Sequence, residues 1–421
     1  MQYFRYQEQE LWCEEVPVSE LAQEFGTPLY VYSKNQIADN FRAVEAPLAG
    51  IDHMVCYALK ANSNPAILTL LAQEGAGADV VSAGELYLAL KAGFAPGQIA
   101  FAGVGKREDE IEYALNSNIF VFNAESTQEL QLISLVAARL GKKARIGLRI
   151  NPDIDAQSHP YITTGLKENK FGISAGEAMA VFQYAAGLPG IEVIGIHTHI
   201  GSQIVKVEPF VEAAGFVAGL VAKLREAGIM LQHIDFGGGI GVQYANALFH
   251  EGLPHENPGA IPPPPGDFVR AVLPTLKETG CSLWLEPGRS IVADAGVLLT
   301  TVLYTKENGL KKFVIVDGGM NDLLRPALYD AYHQIVPVKI TTYEHDKVDV
   351  VGPICETGDF FARDRMLAKV KRNDHLAIMT TGAYGYVNTS NYNARPRPAE
   401  ILVNGEKVRV IRERQTLDQL F

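Results

Sequence analysis

A single lysine ends an apolar run, where its amine could act as a nucleophile. Lys60 follows the strand-like run Met54–Leu59, and Asn62–Pro65 then breaks the pattern before a helical stretch, Ala66–Gln73. Enzymes of alternating strands and helices keep their chemistry at the carboxyl ends of strands. There, shielded by apolar neighbours, a lysine can lose its proton and form a Schiff base with an aldehyde. Taken alone, a lysine in this position more often just reaches solvent.

Two histidines, His197 and His199, lie in the strand-like run Val193–Ile200, so both imidazoles would share one face. They could bind a metal ion, but no further cluster of ligand spacing accompanies them in the sequence. Packed strand histidines are the commoner case. A third alternative is an imidazole lying flat on a planar cofactor, with the following Gly201 and Ser202 meeting a phosphate.

A glycine-rich segment, Asp235–Gly241, follows another strand-like run. Glycines such as Gly238 and Gly239 let the backbone approach an anion and present its N–H groups. The segment is not the dinucleotide fingerprint, because Val242 stands where the last glycine is required. A plain strand–helix turn could be equally rich in glycine.

Glu286, Gly288 and Arg289 stand together where a strand-like run ends. A buried carboxylate beside a pyridine nitrogen would keep that nitrogen protonated and make the ring an electron sink. The arginine fork could grip a phosphate or a carboxylate. Viewed alone, Glu286 and Arg289 could equally well form a surface ion pair.

Further polar groups follow in the last third of the chain. Cys355 next to Glu356 could donate a proton, although a core thiol is commoner. Arg325, Tyr329 and Tyr384 lie in segments that contain glycine or proline. They could line a pocket, but these segments alone do not decide whether they do.

The elements that must position these residues alternate between strands and helices from about residue 35 to 280. This rhythm predicts an α/β fold with a parallel sheet, whose length fits a (β/α)8 TIM-type barrel. Helical segments include Glu85–Ala92 and Ser126–Leu140. The predicted strands are Met54–Leu59, Asp79–Val81, Ile99–Ala102, Ile119–Phe122, Ala144–Ile150, Val193–Ile200 and His233–Phe236.

After about residue 280 strand-like runs with turns dominate, which predicts a mostly β domain formed by 1–34 plus 281–421. The strand-like Thr27–Tyr32 could join either sheet, and the proline-rich Leu253–Gly266 predicts an irregular surface loop. The predicted strands are Val297–Tyr304, Lys312–Asp317, Val336–Thr342 and His375–Thr380, with a hairpin turn at Val403–Glu406.

Composition limits the partners. The net charge of −11 argues against non-specific binding to nucleic acid or to an acidic membrane surface. The four cysteines are scattered, which fits a reducing cytoplasm and no disulfide framework. No apolar run approaches the ~20 residues of a membrane span, and no signal peptide is recognisable. We therefore expect a cytoplasmic protein without a membrane partner.

Taken together and in this order, the motifs resemble the alanine-racemase-like, fold-type III pyridoxal-phosphate decarboxylases, and within that group the diaminopimelate decarboxylases. They extend from residue 57 to residue 403, and only the proline-rich segment after Gly241 looks longer than usual. The motifs are YALKANSNPAIL, GADVVSAGELYLALKAGF, FAGVGK, HPYITTGLKENKFGI, HTHIGSQ, DFGGGIG, EPGRSIVADAG, LLRPALYDAYH, GPICETGDFFARDR and SNYNARPRPAEILV.

The resemblance implies a (β/α)8 barrel with a β-barrel-like second domain, pyridoxal 5'-phosphate as cofactor and no metal. It also implies a role for each candidate residue. Those at the cofactor are Lys60 as its covalent attachment, Asp79 and Glu85 in support, His199 stacked on the ring, Ser202, Gly238 and Gly239 around the phosphate, Glu286 at the pyridine nitrogen, and Gly288, Arg289 and Tyr384 in further contacts. Those at the substrate are Arg289, Arg325 and Tyr329 at the distal end, Glu356 at the distal amine, Tyr384, and Cys355 as the proton donor.

The implied reaction converts meso-2,6-diaminopimelate to L-lysine and CO2, the last step of lysine biosynthesis. The implied assembly is a homodimer whose active sites are shared, with Cys355 and Glu356 coming from the second subunit. Two arginines and Glu356 favour a substrate with a distal carboxylate and a distal ammonium. The alternatives are a decarboxylase of ornithine, lysine or arginine on the same fold, a metal-dependent barrel hydrolase using His197 and His199, and a non-catalytic relative.

Overall fold

The computed structural model of this chain describes residues 3–155, 170–255 and 260–421. Strands and helices are numbered in chain order. The strands are β1 (Phe4–Gln7), β2 (Glu10–Cys13), β3 (Val16–Pro17), β4 (Leu29–Ser33), β5 (His53–Ala58), β6 (Gly77–Val80), β7 (Ile99–Phe101), β8 (Val121–Ala124), β9 (Ala144–Asn151), β10 (Ile173–Ser174), β11 (Ile191–His197), β12 (His233–Asp235), β13 (Ser282–Leu285), β14 (Gly296–Asn308), β15 (Lys311–Val316), β16 (Ile335–Pro337), β17 (His345–Val351), β18 (Phe360–Ala368), β19 (His375–Ile378), β20 (Ala399–Asn404) and β21 (Lys407–Arg412). The α-helices are α1 (Val18–Phe25), α2 (Lys34–Glu45), α3 (Pro65–Gln73), α4 (Ala83–Ala92), α5 (Glu108–Ser117), α6 (Thr127–Leu140), α7 (Ala178–Ala186), α8 (Glu208–Glu226), α9 (Pro265–Lys277), α10 (Arg289–Val292) and α11 (Arg325–Tyr329).

Besides a small sheet of β1, β2 and β3, the described residues form two large sheet systems, and parallel strands close into a barrel in the first of them. The order is β5-β6-β7-β8-β9-β11-β12-β13, and β13 pairs back with β5. Helices connect successive strands, as a parallel sheet requires. The predicted TIM-type barrel is therefore confirmed, and each strand predicted for it has a counterpart within a few residues.

Local sequence signals fix where the helices of the barrel begin and end. Ser82 precedes α4, and its Oγ accepts the N–H of Glu85 at 3.2 Å. Ser126 does the same for Glu129 at the start of α6, at 3.1 Å. Both helices end at a glycine in the left-handed conformation. Each capping serine lies two residues after the end of the preceding strand, β6 or β8.

Apolar side chains fill the barrel interior. Those that pack together there are Cys56, Ala100, Val121, Ile194 and Trp284, with Phe120 stacked on Trp284 at 4.2 Å. A packed interior of this kind leaves the polar residues to the carboxyl ends of the strands, which is where catalytic groups of such barrels lie.

The second sheet system is mostly antiparallel and confirms the predicted β domain. Its order is β18-β17-β15-β14-β4-β20-β21, with β19 pairing to β14 and β16. β4 pairs with β14 and β20, so the segment predicted as Thr27–Tyr32 joins this sheet. The predicted hairpin turn links β20 to β21, with Gly405 at a φ of 61°.

Two predictions after residue 250 need correction. The strand predicted over Val336–Thr342 ends at Pro337, after which the chain bonds to the segment around β2: Leu11 N–H donates to the Val338 carbonyl at 2.9 Å, and Ile340 N–H to the Gln9 carbonyl at 2.8 Å. The proline-rich loop ends at Pro264, since Pro265 already begins α9. Residues 256–259 of that loop and 159–169 of the HPYITTGLKENKFGI motif lie outside the described residues.

The chain divides into two compact units. A β unit comprises Met1–Asp39, Val242–Ile261 and Ile291–Phe421, and a barrel unit comprises Asn40–Gly241 and Pro262–Ser290. The sequence-based division into 35–280 and the remainder differs from these bounds, because β13 follows residue 280. The assignment of cofactor binding to 35–280 stays a prediction.

Candidate active site

Lys60 lies in a single 3-10 turn, Leu59–Ala61, directly after β5. Its Nζ donates to Asp79 Oδ2 at 2.6 Å, and the Asp79 side chain is fully buried at the end of β6. The lysine side chain is 40% exposed, so the expected apolar shield is not present and an acidic partner takes its place. The turn is anchored by the Ala58 N–H, which donates to the Pro287 carbonyl at 3.1 Å.

The acids around Lys60 are shifted by burial. Burial and the Glu286 carboxylate raise the pKa of Asp79, while the Lys60 ammonium opposes that shift. Burial raises the pKa of Glu85 to about 7, although Glu85 Oε2 accepts the Val81 N–H at 2.8 Å. Lys60 therefore faces one carboxyl within hydrogen-bonding distance and a second that titrates near neutrality.

Glu286 follows β13 and is the centre of a buried polar cluster, to which we refer as the Glu286 cluster: Glu286, His197, Asp235 and Asn123. His197 Nε2 lies 3.2 Å from Glu286 Oε2. Asn123 Nδ2 donates to Asp235 Oδ2 at 2.8 Å and reaches Glu286 Oε1 at 3.5 Å. These residues end β11, β12 and β8 or follow β13, so the barrel brings four strand ends to one point.

The two carboxyls of the Glu286 cluster cannot both be charged, because like charges in a buried site oppose each other. Burial raises the pKa of Asp235, and the neighbouring Glu286 raises it further. Burial would also raise the pKa of Glu286, but His197 and Lys60 outweigh burial and lower it. The two shifts have opposite directions, which favours a proton on Asp235 and a charge on Glu286.

His199 follows the end of β11 and is held by the glycine-rich segment. Its Nδ1 accepts the N–H of Gly238 at 3.1 Å, which places the ring proton on Nε2. Burial and the nearby cations Arg149 and Lys60 lower the pKa of His199, so the imidazole is neutral. A neutral ring of fixed orientation suits stacking on a planar aromatic group.

The glycine-rich segment leaves no room for side chains. A Cβ on Gly238 would overlap the Glu286 carbonyl oxygen, and one on Gly239 would overlap the Gly201 carbonyl oxygen. Gly239 also has a φ of 102°, which other residues rarely adopt. The close packing brings Gly239 next to Gly201, the residue that precedes Ser202.

Arg289 begins α10 and is almost completely buried. Its Nη2 donates to Ser202 Oγ at 2.9 Å, so an arginine and a hydroxyl converge on one point. Gly288 lets this segment approach the lysine turn: a Cβ there would lie 3.0 Å from Ala61 Cβ. A guanidinium and a hydroxyl that converge in this way form a donor pair that suits a phosphate.

This donor set fits pyridoxal 5'-phosphate. Lys60 supplies an amine, Glu286 a buried carboxylate for a ring nitrogen, and His199 a flat neutral ring. The Ser202 and Arg289 pair supplies phosphate donors. All these residues belong to the barrel unit.

The remaining candidates belong to the β unit. Cys355 and Glu356 share an exposed loop. The N–H of Cys355 donates to Asn393 Oδ1 at 3.0 Å, and Tyr392 Oη donates to the Glu356 carboxylate. This loop presents both predicted groups at the surface of a single chain.

Arg325 and Tyr329 begin and end α11, in the same unit. Arg325 is buried with its Nη1 3.0 Å from His333 Nε2, and Tyr329 is half-buried. Tyr384 adopts a φ of 57°. Its carbonyl accepts Asn388 Nδ2 at 3.0 Å. The assignments of these residues to a substrate stay predictions.

The two histidines considered as a metal-ligand pair have different surroundings. β11 ends at His197, not at Ile200, and the two imidazoles bond to Glu286 and Gly238 respectively. His197, Asp235 and Glu286 do bring three possible ligand atoms within 4.8 Å of one another. Hydrogen bonds from His197 and Asn123 instead form a network around the two carboxyls.

Sequence reasoning missed Asn123 and Asp235 as members of the site and gave His197 a different role. All three are polar residues at the last positions of barrel strands, or next to them, and that signal could have found them. It also gave no role to His333, the last residue of the motif LLRPALYDAYH, which lies outside the strands and helices.

Every helix in the described part of the chain is too short or too polar to cross a bilayer.

Comparison with known proteins shows the family to which this chain belongs. Residues 34–293 match the family model "Pyridoxal-dependent decarboxylase, pyridoxal binding domain". The diaminopimelate decarboxylase of Pseudomonas aeruginosa is 49% identical over 100% of this chain and 98% of its own length. That of Aquifex aeolicus is 47% identical, over 99% and 96%. The crystal structure of diaminopimelate decarboxylase from Helicobacter pylori complexed with L-lysine is 46% identical and superimposes with a TM-score of 0.89, over 96% of this chain and 98% of that one. With this identity over nearly its full length, the chain belongs to the diaminopimelate decarboxylase family of pyridoxal-dependent decarboxylases.

Proposed function

We propose that this enzyme removes CO2 from meso-2,6-diaminopimelate and releases L-lysine, the last step of lysine biosynthesis, with pyridoxal 5'-phosphate as cofactor. The observation that carries this proposal is the convergence of Lys60, Asp79 and a charged, buried Glu286 in one barrel. When bound at this site, pyridoxal 5'-phosphate would supply an aldehyde for the substrate amine and a ring that can accommodate the electron pair left by departing CO2.

The residues of the barrel unit hold and tune that group. Ser202, Arg289 and the amides of the glycine segment bind its phosphate. His199 supports one face of the ring. The Glu286 carboxylate keeps a proton on the ring nitrogen, because its charge is preserved by the proton on Asp235. Lys60 would hold the cofactor through its amine, which Asp79 positions.

The residues of the β unit recognise and protonate the substrate. Arg325 and Tyr329, together with Arg289, bind the distal carboxylate, and Glu356 binds the distal ammonium. Cys355 donates a proton to the α-carbon, and Tyr384 contacts both cofactor and substrate. A substrate that lacks the distal carboxylate would leave an arginine unpaired, which favours the diamino-diacid over ornithine, lysine or arginine.

We further propose that the enzyme is a cytoplasmic homodimer in which Cys355 and Glu356 complete the partner's active site. The exposure of their loop in a single chain supports this assembly. The four cysteines are free thiols, which agrees with a reducing compartment.

The proposed reaction is tested by supplying meso-diaminopimelate, L-lysine and L-ornithine separately to the cofactor-loaded enzyme. We expect CO2 and L-lysine from meso-diaminopimelate and at most trace CO2 from the other two. Comparable decarboxylation of ornithine or lysine would replace the proposed substrate with the plain diamino acids.

A further inference from the structure

Arg325 is held by His333, which ends the motif LLRPALYDAYH but has no assigned role in the reaction. His333 is fully buried, and its Nε2 lies 3.0 Å from Arg325 Nη1. A guanidinium can only donate, so Nε2 accepts this hydrogen bond. His333 Nδ1 lies 2.8 Å from the Met379 carbonyl oxygen and therefore carries the ring proton. The imidazole is thus fixed in one neutral form that points its lone pair at Arg325.

An aromatic ring holds the guanidinium from a second direction. Arg325 lies 4.7 Å from the ring centre of Tyr244, which is within the range of a cation–π contact. The Tyr244 ring also meets His333 edge to face at 5.0 Å. Arg325, His333 and Tyr244 therefore contact one another pairwise.

The backbone around this triad is tied down as well. Arg365 Nη1 donates to the His333 carbonyl at 2.7 Å. Gln334 bonds Leu248 twice, accepting its N–H at 2.7 Å and donating to its carbonyl at 2.9 Å. These bonds fix the backbone at His333 and at Leu248, four residues after Tyr244.

We propose that His333 and Tyr244 are positioning residues that set the plane of the Arg325 guanidinium for the distal carboxylate of the substrate. The inference rests on the proposed function, because it takes Arg325 as a substrate ligand. A bidentate arginine–carboxylate pair depends on the orientation of the fork, and holding that orientation in advance avoids an ordering cost on binding. His333 and Tyr244 thereby contribute to selectivity for the diamino-diacid without touching it.

Two ligands of matched length separate this role from a structural one. L-lysine keeps the distal carboxylate, and cadaverine is the same chain without it. We expect His333→Leu in the cofactor-loaded enzyme to weaken L-lysine binding by about tenfold, with little change for cadaverine. KM for meso-diaminopimelate should rise more than kcat falls. His333→Gln, which retains an acceptor, should recover most of the affinity.

Tyr244→Leu provides a second variant if His333→Leu does not fold, and it should change the two ligands in the same unequal way. Tyr304→Leu, at an exposed tyrosine of the same unit, is the matched control. Equal losses for L-lysine and cadaverine, or a ratio that stays at the wild-type value, would overturn the inference. A wild-type enzyme that binds L-lysine but does not decarboxylate meso-diaminopimelate would instead refute the proposed function, so the two failures are distinguishable.

Discussion

The charge of the buried Glu286 carboxylate depends on the groups next to it. His197 and Lys60 lower its pKa against burial, while Asp235 next to it has its pKa raised and takes the proton. The charge can then hold a proton on the ring nitrogen of the cofactor.

Replacing Glu286 with glutamine should therefore leave the cofactor bound and lower kcat by about 100-fold or more. Glu278→Gln, at an exposed position of the same unit, should leave the rate unchanged. Cofactor content by absorbance and single-turnover rates would be measured together. A kcat near the wild-type value in Glu286→Gln would show that another group protonates the ring.

Lys60 is the residue on which covalent attachment depends. Lys60→Ala should abolish both activity and the mass increase that borohydride treatment leaves on the cofactor-loaded chain, while circular dichroism stays that of the wild type. Its side chain is 40% exposed, so its loss creates no cavity in the core. Lys91→Ala, another exposed lysine, should retain the mass increase. Turnover at the wild-type rate by Lys60→Ala would remove the central assignment.

Among the elements, the glycine-rich segment after β12 depends most closely on backbone shape. In Gly238→Ala the added methyl would overlap the Glu286 carbonyl oxygen, so either this segment or the Glu286 backbone must shift. We expect the affinity for pyridoxal 5'-phosphate, measured by fluorescence quenching, to fall by at least about tenfold. Gly97→Ala is the control, because a Cβ there meets nothing within 4 Å. Equal affinities in the two variants would show that the segment is not part of the phosphate site.

The turn between β15 and α11 contains a carboxyl that costs stability when it is charged. Asp322 is 2% exposed, and burial raises its pKa to about 7. An unfolded aspartate releases its proton near pH 4. Between these values the folded chain binds more protons than the unfolded one, so stability falls as pH rises through the window, by up to about 4 kcal/mol.

Asp322→Asn should remove this part of the pH dependence. Denaturant unfolding of the variant should show a free energy of unfolding that falls less between pH 4 and 7 than that of the wild type. Asp418→Asn, at an exposed position, should keep the wild-type slope. Parallel curves for wild type and Asp322→Asn would mean that the carboxyl is already charged in that window.

Sequence patterns predicted the elements of the barrel well because each depends on neighbouring residues. The run before Lys60 and the caps Ser82 and Ser126 are local signals. The Glu286 cluster is not local: Asn123 is 112 positions from Asp235 and 163 from Glu286. Polar residues at strand ends can be recognised in a sequence, but which of them touch, and which one holds the proton, depends on closure of the barrel.

At the scale of the whole molecule, the candidate residues fall into two sets that belong to different units. Lys60 and Glu286 belong to the barrel unit, and Arg325, Cys355 and Glu356 to the β unit. A site completed by a second copy of the chain would let one subunit's barrel use the other subunit's cysteine. Lys60→Ala and Cys355→Ala would then damage different sites in a mixed dimer.

The two variants, each nearly inactive, are mixed and allowed to exchange subunits. In a mixed dimer with shared sites, one site carries both defects and the other carries neither. Random exchange puts half of the dimers in the mixed class, so activity should return to about one quarter of the wild-type value per subunit. That value assumes that the two sites act independently.

Exchange itself is verified by mass spectrometry of the intact dimers, with Lys60→Ala alone carried through the same steps as the control. If mixed dimers form and no activity returns, each site is built from one chain, because every site in the mixture then carries a defect. The roles of Lys60 and Cys355 would survive that result, whereas the shared site would not. Recovery near one quarter would instead show a shared site, because an intact site in the mixed dimer combines Lys60 of one chain with Cys355 of the other.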